Sequence, residues 1–212
     1  MNKVHKYEYE VDVTSNTAAA YVAAMVGREK QVLEIGPGPG SITKVLQSIN
    51  ICRVTAIELD GEAIKKLIPY CDRVIQADLN SIDWQKLLVD IGQFDVVVAA
   101  DVLEHLYDPW AALRGIVQFL RADGYAVISL PHIGHGAVMS CLLNDDFEYR
   151  EWGLLDRTHI RFFGLKNIEE LFAQAGLKII EACYVIKAPE ETEFASGWSR
   201  LSVPVQDLIM NN

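Results

Sequence analysis

The stretch VLEIGPGPGSIT, from Val32 to Thr43, joins a short apolar run to three glycines, Gly36, Gly38 and Gly40. An apolar run of this length, followed by a glycine-rich turn and the amphipathic run SITKVLQSI, is typical of a strand, loop and helix in a parallel α/β sheet. The loop after the first strand of such a sheet usually frames the ligand site. This stretch therefore predicts an α/β fold with a ligand-binding loop.

The rest of the chain repeats this alternation of short apolar and longer amphipathic runs. Four more strand-and-helix units begin at CRVTAIEL, RVIQA, FDVVVAA and YAVISLP, and WQKLLVDI is one of the expected helices. This order predicts a parallel sheet with crossover helices on both faces. A helix in TSNTAAAYVAAMVG, capped by Ser15 or Asn16 and ended by Gly27, is expected before the first strand.

The second half of the chain carries further boundary signals. Asp108 is a candidate N-cap with Pro109 at the first helical position, and RADG predicts a turn before the fifth strand. Residues 132–163 interrupt the alternation of strand-like and helical runs, which predicts an insert over the site. A helix in KNIEELFAQAG and a strand-like run in LKIIEACYVI are expected after it. The expected organisation is one domain over residues 1–212, with a core at about 30–187 and a tail at 188–212.

Composition excludes several classes of protein. Half of the 212 residues are hydrophobic, which is enough for one sizeable core. A formal net charge of −10 disfavours binding to nucleic acid, because such binding requires clustered Lys and Arg. The four cysteines are widely spaced and predict reduced thiols, and no apolar run approaches membrane-spanning length, so a cytoplasmic protein is expected.

The chemistry of the glycine loop argues against a dinucleotide. Its G-x-G-x-G spacing differs from the dinucleotide fingerprint, and Pro37 and Pro39 remove backbone N–H groups that a pyrophosphate needs. Glu34 adds a negative charge that repels phosphate but suits a cationic ligand. Glu58 and Asp78 end the next two apolar runs, where carboxylates can accept from ribose hydroxyls and an adenine amino group. These groups together predict S-adenosylmethionine.

From about Tyr7 to Val185 the sequence resembles the class I S-adenosylmethionine-dependent methyltransferases. Within them it is most similar to bacterial methyltransferases associated with glycosyltransferases in polysaccharide gene clusters, through YEYEVD, FDVVVAADVLEHLYDP, SLPHIGHG and GLLDRTHIRFFG. The resemblance implies a doubly wound, mostly parallel seven-stranded sheet. It also implies cofactor contacts from a set of residues at the strand ends: Glu34, Gly36, Pro37, Gly38, Gly40, Glu58, Leu59, Asp78, Leu79 and Ala100.

The sequence departs from that family's pattern at two places. The two prolines make the glycine loop stiffer than the usual small-residue form, and Gly164 stands where a threonine often caps the following helix.

Three residues are candidate catalytic groups, namely His132, His159 and Asp101. A histidine suits proton removal from an acceptor hydroxyl, although each histidine here has the alternative of an ordinary loop hydrogen bond. The expected acceptor-binding residues are Arg157, Arg161 and His135, and the two arginines have Asp156 and Glu151 as alternative partners.

The DVLEH segment places Asp101, Glu104 and His105 at a spacing that one helix face would bring together. A capping function is favoured there over a divalent ion, so no metal is expected. The predicted acceptor is a small molecule, and the expected acceptor group is a hydroxyl or amine of a sugar-linked metabolite. The sequence leaves open whether the protein forms a homodimer. A catalytically silent cofactor-binding module is the alternative function.

Overall fold

The computed structural model describes residues 5–211 and contains a five-stranded parallel sheet in the order β3-β2-β1-β4-β5. The strands are β1 (Gln31–Ile35), β2 (Arg53–Glu58), β3 (Arg73–Gln76), β4 (Phe94–Ala100) and β5 (Leu120–Ser129). The direction of strand order reverses between β1 and β4. This switch point lies at the glycine loop, where an open α/β sheet binds its ligand.

Helices cover both faces of the sheet, as the alternation in the sequence predicts. They are α1 (Ala18–Val26), α2 (Ser41–Ser48), α3 (Gly61–Leu67), α4 (Pro109–Ile116), α5 (Gly136–Leu143), α6 (Leu165–Gln174), α7 (Ala195–Trp198) and α8 (Val203–Met210). On one face Leu33 packs with Leu113 of α4 and Leu171 of α6. On the other face Val32 packs with Val22 of α1, together with α2. Successive residues of β1 thus point into opposite core layers.

The expected seven strands are wrong for the part of the chain that the structure describes, which holds five in the sheet. The strand-like run LKIIEACYVI makes no ladder, and Ile180 and Ile186 are 82% and 84% exposed. An added strand needs backbone partners and a covered face. The tail that follows forms α7 and α8 rather than a further strand, and the run makes no pairing with the edge strand β5.

The cap of α1 also differs from the prediction. Thr17 caps the helix, and its hydroxyl accepts from Ala20 N at 3.3 Å. The two predicted caps are engaged elsewhere, because Ser15 Oγ donates to Asp12 O at 2.6 Å and the Asn16 side chain accepts from the Tyr21 hydroxyl. Gly27 ends the helix with φ 73°, as predicted.

Two further predictions are corrected in the second half of the sheet. RADG lies inside β5 instead of forming a turn, with a register shift opposite β4 between Phe94 and Val96. A Cβ on Gly124 would lie 3.0 Å from Asp95 O, so the absence of a side chain lets β5 pass close to β4. The WQKLLVDI run forms only a short 3-10 helix, Trp84–Leu88.

No helix among residues 5–211 is long and apolar enough to cross a membrane.

Replacing Asp108 by Ala is expected to lower the free energy of unfolding by about 1 kcal/mol. The Asp108 carboxylate caps α4 by accepting from Ala111 N at 2.8 Å, and Pro109 follows at the first helical position. Asp83→Ala is the matched control, because Asp83 also precedes a helical segment but makes no side-chain cap bond. Urea unfolding measures both variants, and equal losses would contradict the capping function.

Candidate functional site

The carboxyl ends of the parallel strands bring the predicted ligand-binding residues to one edge of the sheet. The glycine loop follows β1, Glu58 ends β2, Asp78 follows β3, and Ala100 ends β4. The register places Ile35 beside Ile57 on one side and Ala99 on the other. The sequence therefore predicted the position of this edge correctly, while the ligand contacts of its residues stay predictions.

The loop after β1 requires glycine by conformation and by space. Gly36, Gly38 and Gly40 have φ values of 60°, 56° and 92°, in the region that side chains rarely adopt. A Cβ on Gly36 would lie 2.8 Å from a methyl carbon of Val102, and one on Gly40 would lie 3.0 Å from Leu67. The loop backbone consequently approaches its neighbours closely at Gly36 and Gly40, whereas a Cβ on Gly38 would lie 3.9 Å from the Tyr7 side chain.

Glu58 fixes this loop to the end of β2. One carboxylate oxygen accepts from Gly38 N at 2.8 Å, and the other accepts from Leu59 N and Asp60 N at 2.7 and 2.8 Å. A carboxylate offers about four acceptor positions, so these three bonds leave one for a ligand hydroxyl. Glu58 thus has a structural function in the loop as well as its predicted contact with the ribose.

Replacing Glu58 by Gln is expected to weaken cofactor binding about tenfold, which is ~1.4 kcal/mol. The amide group turns one of the two acceptor oxygens into a donor that faces a backbone N–H. Glu62→Gln is the control, because Glu62 is exposed on α3 and pairs only with Lys65, at 2.6 Å. Calorimetric titration with S-adenosylhomocysteine measures the change, and an unchanged affinity would place the ribose elsewhere.

Glu34 is the most deeply buried acid beside the loop. Glu34 is the penultimate residue of β1 and is 2% exposed, and its Oε2 has no hydrogen-bond partner in the described part of the chain. Burial raises the pKa of Glu34 to about 7, the Thr43 hydroxyl opposes this shift, and the negative charge of Glu58 adds to it. A buried carboxyl with an oxygen that lacks a partner favours a positive group nearby.

A cleft of about 310 Å³ lies beyond the ends of β2 and β3. Its lining residues are Leu59, Gln76, Ala77, Asp78, Ser81, Asp83, Trp84 and Leu87. Asp78 is exposed there and accepts from Asn80 N at 2.8 Å, while Leu79 is half-buried beside it. Apolar walls with one acid at the rim suit a flat heterocycle that carries an amino group.

The N-terminal segment lies against the glycine loop, a contact that the sequence reasoning missed. Tyr9 N donates to Ser41 Oγ at 3.0 Å, and Ser41 Oγ donates to Tyr7 O at 3.3 Å. Burial raises the pKa of the Tyr9 phenol to about 12, with contributions from Asp101 and Glu34. Tyr9 therefore lies near both acids. The run YEYEVD gave no periodic signal for this position.

Asp101 lies at the switch point, directly after β4, with φ 53°. Its side chain accepts from Ser129 Oγ at 2.8 Å, and its N–H donates to Ser129 O at 3.2 Å. The residue is exposed to solvent, and desolvation of its carboxyl raises its pKa, opposed by the Ser129 hydrogen bond. The capping prediction for the DVLEH segment is wrong, because the short 3-10 helix Leu103–His105 starts at Val102 with no side-chain cap bond.

The predicted histidines do not share one location. His159 is buried beside Glu104 and His105, whereas His132 forms an isolated bridge with Phe163. His135 caps α5 by accepting from Ala137 N at 3.1 Å, and its Nε2 lies 3.0 Å from Lys187 O. Both ring nitrogens of His135 are therefore engaged within the protein.

The two predicted arginines also have partners within the chain. Arg157 pairs with Glu151 at 2.9 Å, which was one of the alternatives left by the sequence. Arg161 donates to Tyr107 O, with its guanidinium 5.9 Å from the centre of the Trp110 ring. Arg157 is exposed, so a charged acceptor group would compete only with a surface ion pair.

Asp156 connects the insert to the N-terminal segment. Lys6 Nζ pairs with Asp156 at 2.8 Å, and Thr158 N donates to it at 2.9 Å. Desolvation raises the pKa of Asp156, but the hydrogen bonds from Lys6 and Thr158 outweigh it and lower the pKa to about 2. Of the aromatic residues in the insert, Phe163 is buried in the core and Trp152 is 64% exposed. Three others form a ring cluster, namely Phe147, Tyr149 and Phe162.

Comparisons with known proteins agree with this geometry. Residues 9–182 match the family model described as "Methyltransferase domain". A ubiquinone biosynthesis O-methyltransferase of Xanthomonas campestris is 30% identical over 112 residues, covering 51% of this chain and 46% of the relative. A ribosomal RNA small subunit methyltransferase A of Rhodococcus opacus is 32% identical over 124 residues, covering 51% and 42%. The chain spans about half the length of the curated relatives it matches.

Solved structures show the same fold. A SAM-dependent methyltransferase of Thermotoga maritima superposes with a TM-score of 0.60 at 16% identity, covering 84% of this chain and 79% of the other. The YcgJ protein of Bacillus subtilis gives 0.60 at 16% identity, covering 90% and 87%. At this identity the likeness concerns the fold alone.

Proposed function

Because the chain belongs to the methyltransferase-domain family, we propose that it transfers a methyl group from S-adenosylmethionine to a hydroxyl oxygen of a small molecule. The observation that carries this proposal is the set of acids around the glycine loop. Glu34 lies in β1, Glu58 ends β2 and Asp78 follows β3, and the glycine loop has no room for side chains at Gly36 and Gly40.

The residues present fit this cofactor. The buried Glu34 carboxyl, whose Oε2 has no partner among the described residues, suits the positively charged methionine end, and the remaining acceptor position on Glu58 suits a ribose hydroxyl. The cleft at Asp78 suits the adenine. When bound, S-adenosylmethionine supplies an electrophilic methyl group on a cationic sulfur. The protein must then hold the acceptor oxygen in line and remove its proton.

Among the three predicted catalytic residues, Asp101 is the one we assign as general base. It lies at the switch point, the residue is exposed to solvent, and a non-glycine residue with positive φ often marks a functional position. His159 is buried at 9% exposure, and His132 lies after β5 beside Gly134. Asp101 is thus the candidate with both solvent access and a fixed orientation.

For the methyl acceptor we propose only a chemical class. The matched Xanthomonas relative is named for O-methylation in ubiquinone biosynthesis, which supports an oxygen acceptor on a ring-containing molecule. The sugar-linked acceptor and the glycosyltransferase-associated gene setting stay predictions from the sequence. We propose that the insert, with its ring cluster and Arg157, selects this acceptor. The net charge of −10 argues against an RNA acceptor like that named for the Rhodococcus relative.

The protein is expected to bind S-adenosylmethionine and S-adenosylhomocysteine with micromolar dissociation constants, and NAD at least about tenfold more weakly. The physical reason is the lack of N–H donors at Pro37 and Pro39, which a pyrophosphate requires. Calorimetry with each ligand tests the expectation. Tighter binding of NAD would reject the assignment. Cofactor binding without methyl transfer to any sugar nucleotide or ring phenol would favour the silent module.

A further inference from the structure

Three side chains meet where the end of β4 contacts the insert, namely Glu104, His105 and His159. One ligand atom from each lies within 4.8 Å of the other two. Nε2 of His159 is 3.9 Å from Glu104 Oε1, and the two imidazole rings are 4.8 Å apart at 73°. The third member comes from the insert, so the spacing within DVLEH did not predict this set.

The backbone fixes the orientation of both imidazole rings. Nδ1 of His105 lies 3.1 Å from Thr158 O, and Nδ1 of His159 lies 3.3 Å from Leu154 O. A carbonyl oxygen only accepts, so each Nδ1 carries the hydrogen in these bonds and each Nε2 presents a lone pair. Metal-binding histidines are oriented in this way by a carbonyl or carboxylate behind them.

Together with the two imidazole rings, Glu104 forms a cluster of hydrogen-bond acceptors that has no hydrogen-bond donor among the described residues. Its side chain is 0% exposed, and neither carboxylate oxygen has a hydrogen-bond partner within residues 5–211. Its backbone carbonyl accepts from Ile160 N and Arg161 N at 2.9 and 3.0 Å, which holds the acid against the insert. A buried carboxylate facing two imidazole lone pairs is costly, and either a proton or a cation between them removes that cost.

The surrounding charges favour a cation. Asp101 and Asp156 lie close enough to affect Glu104, whereas the nearby Lys6 is already paired with Asp156 at 2.8 Å. The carboxylates therefore outnumber the lysine at this position.

We propose that Glu104, His105 and His159 bind one divalent transition-metal ion of the zinc and cobalt class. Two imidazoles and one carboxylate suit such ions, whereas Mg²⁺ and Ca²⁺ prefer oxygen ligands. The site lies next to the proposed methyl-transfer centre but is independent of that proposal. Metal binding can be measured without any acceptor or cofactor.

The experiment uses the untagged chain, freed of metal by chelator dialysis and titrated with Co²⁺. One equivalent is expected to bind with a micromolar or lower dissociation constant and to give visible d–d absorption of low-symmetry coordination. Glu104→Gln and His159→Gln are each expected to weaken binding at least about tenfold. His132→Gln is the control, because His132 lies in the same insert outside the cluster, and it should keep the affinity within about twofold.

Several outcomes would overturn the site. These are the absence of Co²⁺ or Zn²⁺ binding at millimolar concentration, equal affinity in the cluster variants, or binding of Mg²⁺ alone. Circular dichroism checks folding of the two buried variants. If they do not fold, the half-buried His105→Gln provides the same comparison. Calorimetry with S-adenosylhomocysteine on the same samples separates a failure of this site from a failure of the proposed function.

Discussion

Replacing Asp101 by Asn is expected to lower methyl-transfer turnover about 100-fold while changing cofactor affinity by no more than a few fold. Asparagine keeps the shape of the side chain and tolerates the positive φ of 53° at this position. It can still accept from Ser129 Oγ, so the loop geometry is retained. The variant therefore removes proton acceptance and little else.

Asp145→Asn is the matched control for this substitution. Asp145 also has a positive φ, 56°, but it is exposed at the end of α5, where it faces neither the glycine loop nor β4. Turnover is measured with labelled cofactor once an acceptor has been found by screening ring-containing alcohols, phenols and sugar nucleotides. Full turnover in Asp101→Asn would transfer the base assignment to His132 or His159.

The fold was predictable wherever local pattern and tertiary contacts agree. The apolar runs of β1 and β4 are buried on both faces, so composition alone marks them as parallel strands. The strand-like run at 177–186 has a similar composition, yet most of its side chains are exposed. Strand formation depends on a pairing partner, and residues distant in sequence decide whether one exists.

The positions of the proposed cofactor-binding residues were predictable from the sequence, whereas the contacts of the proposed acceptor-binding residues were not. Glycines and acids at strand ends keep their positions because parallel strands end at one edge, so Glu34, Glu58 and Asp78 are placed by the sheet itself. His159 and Tyr9 reach the site from the insert and the N-terminal segment. Such contacts join residues far apart in sequence and have no periodic signal.

Local hydrogen-bond competition explains the smaller errors. Ser15 and Asn16 are both good N-caps, but each has a nearer partner, and Thr17 takes the position. Glu58 stays predicted to accept from a ligand, although three backbone N–H groups already use most of its acceptor positions. A sequence lists the groups that can form hydrogen bonds but not which partner is closest.

In the cofactor-free state, we compare the free energy of unfolding of Glu34→Gln with that of the parent protein. The advantage of the variant is expected to be about 2–3 kcal/mol larger at pH 8 than at pH 5. Burial raises the pKa of Glu34 to about 7, from an ordinary value of 4.5. The folded state therefore holds the proton more tightly than the unfolded chain does. As the pH rises from about 4.5 to about 7, the parent loses this part of its stability, whereas glutamine has no proton to lose.

Urea unfolding of both proteins at pH 5 and pH 8 isolates this contribution, because the other titrating groups are shared and cancel in the difference. Glu62→Gln controls for the loss of a negative charge at an exposed position. A difference that stays constant with pH would mean that Glu34 titrates near its ordinary pKa and has a partner in the folded protein. Bound S-adenosylmethionine should reduce the pH dependence, since a positive group beside Glu34 stabilises the ionised carboxylate that burial alone disfavours.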